Sequence, residues 1–231
     1  MLKHPASVSP LPARMIGVPG PTASPPAARI GTDALHDAIW RQPPMEHPVS
    51  IDALRARLPD YASDLGVNLA LLVDDPALDR ETRWACFIAA ACAAGEPQTL
   101  RAIDAAATAA GVSAGGRRAG RAAAAMMAMT NVYFRALHLM EPAEYRALPS
   151  RLRMNAPGHS RAEGIGYALA CLAVSAINGC GACLDSHETK LRRQGVEPVQ
   201  VQTALRIASV VWAVSLTLAA EAALRPQESP V

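Results

Sequence analysis

The sequence predicts an all-α protein, and three observations carry that prediction. Alanine and other small side chains dominate a chain of 231 residues that is 51% hydrophobic but only 4% aromatic, and alanine is the strongest helix former. Apolar residues recur at helical spacing from Ser50 onward, without sustained alternation of period two. The segments stop at glycines and prolines, as helices do.

The elements follow in order. Residues 1–46 form a proline-rich extension; nine of the chain's 19 prolines fall before residue 45. Such a stretch cannot bury enough apolar surface to offset chain entropy, so a disordered arm is expected, with one short helix around Thr32–Gln42. Met45 is the alternative natural start. The helical domain is expected over 47–226. Ser50 offers an N-cap to a short helix that meets Pro59. Helices are then predicted over Arg80–Ala94, ending at Gly95-Glu-Pro97, and over Gln98–Ala110, ending at Gly111-Val112. A long one follows over Gly116–Met140, with Asn131 as a point of interruption. In the second half they cover Ile165–Ile177, Cys183–Gln194 ending at Gly195, and Val199–Leu224.

The two halves look related. Ala85-Cys86-Phe87 matches Ala170-Cys171-Leu172 at a spacing of 85, and Gly111-Val112 matches Gly195-Val196 at 84. An internal duplication is expected, with repeats over about 80–140 and 163–225. Gly95-Glu-Pro97-Gln98 would stand where the second copy has Cys180-Gly-Ala-Cys183. One copy would carry the chemistry and the other would be scaffold.

Composition excludes several classes. The 22 basic and 20 acidic residues leave +2, so no strongly basic field points to nucleic acid. The longest apolar run, Ile165–Ile177, contains Gly166 and Ser175 and falls short of the ~20 residues of a membrane span. Five cysteines, an odd number with three in apolar helical runs, fit a reducing cytosol and a cytoplasmic location.

The chemistry concentrates in Asn178-Gly-Cys180-Gly-Ala-Cys183-Leu-Asp-Ser-His187-Glu188. Two cysteines three apart at the start of a helix lie on nearly one face, close enough to bond. The positive end of the helix stabilises a thiolate there. His187, four residues after Cys183, sits one turn on and can take or return a proton. This geometry favours Cys183 as the attacking sulfur and Cys180 as the resolving thiol; the reverse order is the alternative. A c-type haem site would need histidine where Leu184 stands. Zinc could use Cys180, Cys183 and His187 with Asp185 or a residue elsewhere as fourth ligand, but no second Cys-x-x-Cys or His pair completes a structural site. Cys86, Cys92 and Cys171 read as core thiols. His138, His36, His47 and His4 read as surface or loop residues, and Met126, Met127 and Met129 as core packing or subunit contacts.

The motif Ser175-Ala-Ile-Asn-Gly-Cys180-x-x-Cys183-x-x-x-His187-Glu188 resembles that of the AhpD alkyl hydroperoxidases of the carboxymuconolactone decarboxylase-like superfamily. Leu58–Asp64, Asn131–Phe134 and Leu152–Asn155 support the resemblance, which spans about residues 48–225. It implies a duplicated helical fold, a homotrimer and a lipoyl-dependent peroxidase without bound cofactor or metal. It also implies dihydrolipoamide on an acyltransferase as reductant and the peroxiredoxin AhpC as electron acceptor. By position, Cys183 would form the sulfenic acid and the mixed disulfide with AhpC. Cys180 would be proton donor and disulfide partner, and His187 part of a proton relay. The family's usual glutamate twelve residues before the first cysteine is Ala168 here, and the residue before the second, a histidine in some members, is Ala182. Glu163 or Glu188 would have to substitute, or direct peroxide turnover would be poor while disulfide exchange survives. The other readings are a carboxymuconolactone decarboxylase-like enzyme, against which the cysteine pair argues, and a zinc-binding or structural oligomer without redox turnover.

Overall fold

The computed structural model describes residues 50–154 and 161–225, and among these all regular structure is helical. The helices are α1 (Ile51–Arg55), α2 (Ser63–Val73), α3 (Arg80–Ala94), α4 (Pro97–Ala109), α5 (Ala114–Leu139), α6 (Glu144–Ala147), α7 (Arg161–Ile177), α8 (Gly181–Arg193) and α9 (Pro198–Leu224). A 3-10 turn over Asp60–Ala62 leads into α2. The N-terminal arm, the short helix expected at Thr32–Gln42 and the alternative start at Met45 lie outside the described residues.

Four of the starts have a clear local cause. The Ser50 hydroxyl accepts from the Ala53 N–H at 3.1 Å, and Asp79 accepts from Thr82 N–H at 3.0 Å. Ser113 caps α5, and its own N–H and hydroxyl both donate to Glu81 at 2.9 Å. Pro198 at the first position of α9 follows Glu197, which forms a reciprocal capping box with Gln200.

The long helices α3, α5, α7 and α9 pack together around one core. Phe87, Ile88, Leu169, Leu172, Ile207 and Val211 are fully buried there. Alanines fill much of the remaining interface, which is how the chain manages with so few aromatics. At Gly120 a Cβ would come within 2.7 Å of the Ala85 carbonyl oxygen, so α5 lies almost backbone to backbone against α3.

Two expectations are corrected. Asn131 does not interrupt α5. It is fully buried, and its amide is satisfied by α7 and the residue after it, Nδ2 donating to Ser175 Oγ at 3.0 Å and Oδ1 accepting from Asn178 Nδ2 at 3.0 Å. A polar residue is tolerated inside a helix when its partners lie on a neighbour. Second, α9, not Ile165–Ile177, is long and apolar enough by length and composition to cross a membrane. One side of it, with Ile207, Val211, Val214 and Leu218, is buried in the core.

The order short helix, glycine-valine stop, long helix occurs twice. Gly95 and Gly179 both have positive φ (73° and 64°), as do Gly111 and Gly195 (73° and 83°), and each pair is separated by 84 positions. The Val112 N–H donates to Ala107 O at 3.0 Å and the Val196 N–H to Leu191 O at 3.1 Å, the same stop at the same offset. This register moves the expected counterpart of Cys180 by one residue. It pairs Glu96 with Cys180 and Thr99 with Cys183, because the chain turns at Gly95 as it turns at Gly179.

Candidate functional site

The site is built at the start of α8. The chain leaves α7 through Asn178 and left-handed Gly179, where the Cys180 N–H donates to Ser175 O at 3.0 Å. The turn is fixed from behind by Asn131 on α5, which holds both Ser175 and Asn178, and by the Arg135 guanidinium, which donates to the Asn178 carbonyl. Cys180 is the N-cap residue of α8, and its carbonyl accepts from the Cys183 and Leu184 N–H groups at 3.1 and 3.0 Å. Cys183 therefore falls one turn in, with the two Cα atoms 5.3 Å apart and the sulfurs joined as a disulfide.

The two sulfurs differ in access. Cys180 is 0% exposed; Cys183 is 8% exposed and lines a cavity of about 480 Å³ between α5, α7 and α8. His187 lines the same cavity one turn further along α8. Burial, and then the charge of Lys190, push the His187 pKa below its ordinary 6.5, so the imidazole is neutral at pH 7.

The remaining cysteines are unpaired. Burial raises the pKa of Cys86 and Cys92, and that of Cys171 up to about 12. Cys171 is fully buried but forms part of the cavity wall beneath the Tyr167 hydroxyl, which hydrogen-bonds it.

Several expected roles change. Glu188 is exposed and not among the cavity's lining residues; its carboxylate faces Arg192 at 3.9 Å along the helix. An acid at 188 lies one position off the 183–187 face, so the relay expected of it is not assembled. The Glu163 side chain lies outside what is described. Ala168 is buried in the core cluster, beside Tyr167, which does reach the cavity. His138, read as a surface residue, is exposed yet lines the cavity, as do Met126 and Met127, read as packing residues. Sequence spacing alone missed Tyr167, Lys190 and Arg146, which reach the cavity from three separate elements. Lys190 alone had a signal: it follows His187 by three residues, on the same face. Among the described residues no group of three or more histidines, cysteines or acids is placed to hold a metal ion.

A helical scaffold presenting a Cys-x-x-Cys disulfide to a cavity, with a neutral histidine a turn away, has the parts that thiol–disulfide chemistry uses. Comparison with known proteins narrows the class. Residues 164–226 match the carboxymuconolactone decarboxylase family. Among relatives, "alkyl hydroperoxide reductase AhpD" of Caulobacter vibrioides is 74% identical over 179 residues, 78% of this chain and 98% of that protein. The proteins of that name from Maricaulis maris (48% over 173 residues, 75% and 99%) and Hyphomonas neptunium (47% over 176 residues, 76% and 97%) are similar along nearly their whole length. The chain belongs to the AhpD alkyl hydroperoxidase family of the carboxymuconolactone decarboxylase-like superfamily. It is a hydroperoxide-related oxidoreductase with an antioxidant role.

Proposed function

We propose that the chain is a lipoyl-dependent hydroperoxide reductase. Its Cys180–Cys183 dithiol takes electrons from dihydrolipoamide on a dihydrolipoamide acyltransferase. It passes them to the peroxiredoxin AhpC or, weakly, to alkyl hydroperoxides. The observation that carries this reading is the unequal placement of the two sulfurs, Cys183 on the cavity with His187 and Cys180 sealed behind it.

In the reduced enzyme His187 accepts the Cys183 thiol proton. The thiolate attacks the terminal oxygen of a hydroperoxide, the O–O bond breaks, and the leaving alkoxide takes a proton from the imidazolium. Cys183 is then a sulfenic acid. The Cys180 thiol attacks its sulfur, water leaves, and the disulfide forms. An incoming dithiol attacks Cys183, the accessible sulfur, and expels Cys180 as a thiolate. That leaving group sits at the N-cap of α8, where the first-turn N–H groups and the helix dipole favour negative charge, and a better-stabilised thiolate leaves faster. Electrons for AhpC follow the same route, through a mixed disulfide on Cys183.

Disulfide exchange needs only these parts. Direct peroxide turnover is the step that suffers from having no carboxylate at position 168. A homotrimer fits the exposed apolar residues along α5, Met129, Val132 and Leu139, and the matching stops of the two halves fit an ancestral duplication. A cytoplasmic setting fits the three unpaired cysteines.

The test is steady-state peroxide consumption with dihydrolipoamide, with and without AhpC, comparing wild type with Cys183→Ser. Turnover stimulated by AhpC and lost in the variant is expected. Equal activity in the variant would overturn the reading.

A further inference from the structure

We infer that the cavity selects amphipathic hydroperoxides that carry a carboxylate, as hydroperoxides of long-chain fatty acids do, and that Lys190 and Arg146 are the specificity-determining residues; this rests on the proposed peroxidase function. The wall beyond Cys183 is apolar, formed by Met126, Met127, Phe134, Leu137 and Met154. Its volume of about 480 Å³ suits an extended organic molecule, far more than a peroxide as small as hydrogen peroxide needs. Lys190 and Arg146 are exposed side chains that also line it. Among the described residues no aspartate or glutamate lines the cavity, and neither cation is in an ion pair; the Arg146 guanidinium donates to the Glu141 backbone carbonyl at 3.3 Å. An apolar wall that also carries two cations, with no acid among the described lining residues, complements an apolar chain that carries an anion.

The spacing makes the inference sharper. Cys183, His187 and Lys190 follow one another along α8 and all line the cavity. Seven residues of helix separate the sulfur-bearing position from the ammonium-bearing one by roughly 10 Å of axial rise. An extended chain advances roughly 1.2 Å per bond, so a peroxide group about eight bonds from the carboxylate would meet Cys183 while the carboxylate meets Lys190. That describes a mid-chain hydroperoxide. Its reduction is the balanced step above: two electrons leave the dithiol, the O–O bond breaks, and the hydroxy acid and water are the products.

The experiment compares kcat/KM for a mid-chain linoleic acid hydroperoxide, its methyl ester and tert-butyl hydroperoxide. Wild type, Arg146→Gln and Lys190→Gln are measured with dihydrolipoamide. Wild type should prefer the acid to the ester by roughly tenfold or more, one charge-assisted contact. Each variant should shrink that ratio toward one through KM. Taking the ratio within each variant removes any effect of Lys190 on His187. Equal values for acid and ester in wild type, or an unchanged ratio in both variants, would overturn the inference, whereas no turnover of any of the three would overturn the peroxidase reading. A second readout needs no turnover. Oleate, but not methyl oleate, should protect Cys183 of the reduced protein from alkylation by iodoacetamide, less so in the variants. No protection by oleate would also overturn the inference.

Discussion

Helices α4 and α8 begin at equivalent places, 84 residues apart, and each ends at a left-handed glycine followed by valine. At the start of α4 stands Glu96, 6% exposed, whose carboxylate accepts from the Gln98 N–H at 3.0 Å, the Thr99 N–H at 2.7 Å and the Thr99 hydroxyl at 2.8 Å. At the start of α8 stands Cys180, whose side chain makes no cap hydrogen bond, bonded instead to Cys183. Both positions want negative charge, since both face unsatisfied N–H groups at a helix N-terminus. The first half answers it with the Glu96 side chain and gains a rigid cap. In the proposed cycle the second half supplies that charge only when the Cys180–Cys183 disulfide opens.

A second difference separates the pair. One turn beyond Cys183 is His187, on a cavity; the equivalent residue in the first half is Ile103, fully buried. Cys183 therefore has an imidazole one turn along the chain and a cavity beside it, and position 99 has neither.

The comparison can be broken most severely at Cys183. Cys183→Ser should lower dihydrolipoamide-driven peroxide consumption by at least ~10³-fold, as removal of a nucleophile does, in a coupled or direct peroxide assay. His187→Gln should cost on the order of 10²-fold. The wild-type rate should rise with pH through an apparent pKa below 6.5, and Lys190→Gln should move it back toward 6.5. The same titration touches stability. His187 has a folded pKa depressed below its unfolded value, so its contribution is full above 6.5 and is lost as pH falls through the folded pKa; chemical denaturation of the oxidised protein across that window measures it.

Transplanting the pair tests whether position alone suffices. In a Cys183→Ser background, Glu96→Cys with Thr99→Cys should form a disulfide, seen as a mass loss of about two hydrogens on the peptide carrying 96 and 99. It should give no peroxide turnover, for want of a base at Ile103. Glu96→Ala alone should destabilise the fold by about 1 kcal/mol, the usual worth of an N-cap, and lower Tm by a few degrees. The smallest effect is expected at Glu188→Gln. An exposed partner of Arg192 contributes little, so turnover should stay within about twofold of wild type.

Much of this was legible in sequence because it depends on neighbours along the chain. The end of α3 follows from the Gly95 stop, and the place of Cys183 and His187 one turn apart on α8 follows from helical spacing alone. What was hidden depends on packing between distant segments. Asn131 looks like a helix breaker until α7 brings Ser175 and Asn178 to its amide. Glu188 looks like a relay acid until the helix carries it to solvent beside Arg192. Tyr167, His138 and Arg146 belong to the cavity only because α5, α6 and α7 converge on α8. The pairing of Gly95 with Cys180 differs by one residue from the spacing of the left-handed glycines, because alanine-rich helices align equally well in several registers.

The central claim is that Cys183 is the sulfur that meets incoming partners while Cys180 resolves. Trapping decides it: reduced Cys180→Ser and Cys183→Ser proteins are each mixed with oxidised lipoamide, quenched with acid and mapped by peptide mass. A lipoyl adduct on Cys183 in the first variant, with little on Cys180 in the second, is the result expected. An adduct forming as readily on Cys180 as on Cys183 would contradict the account.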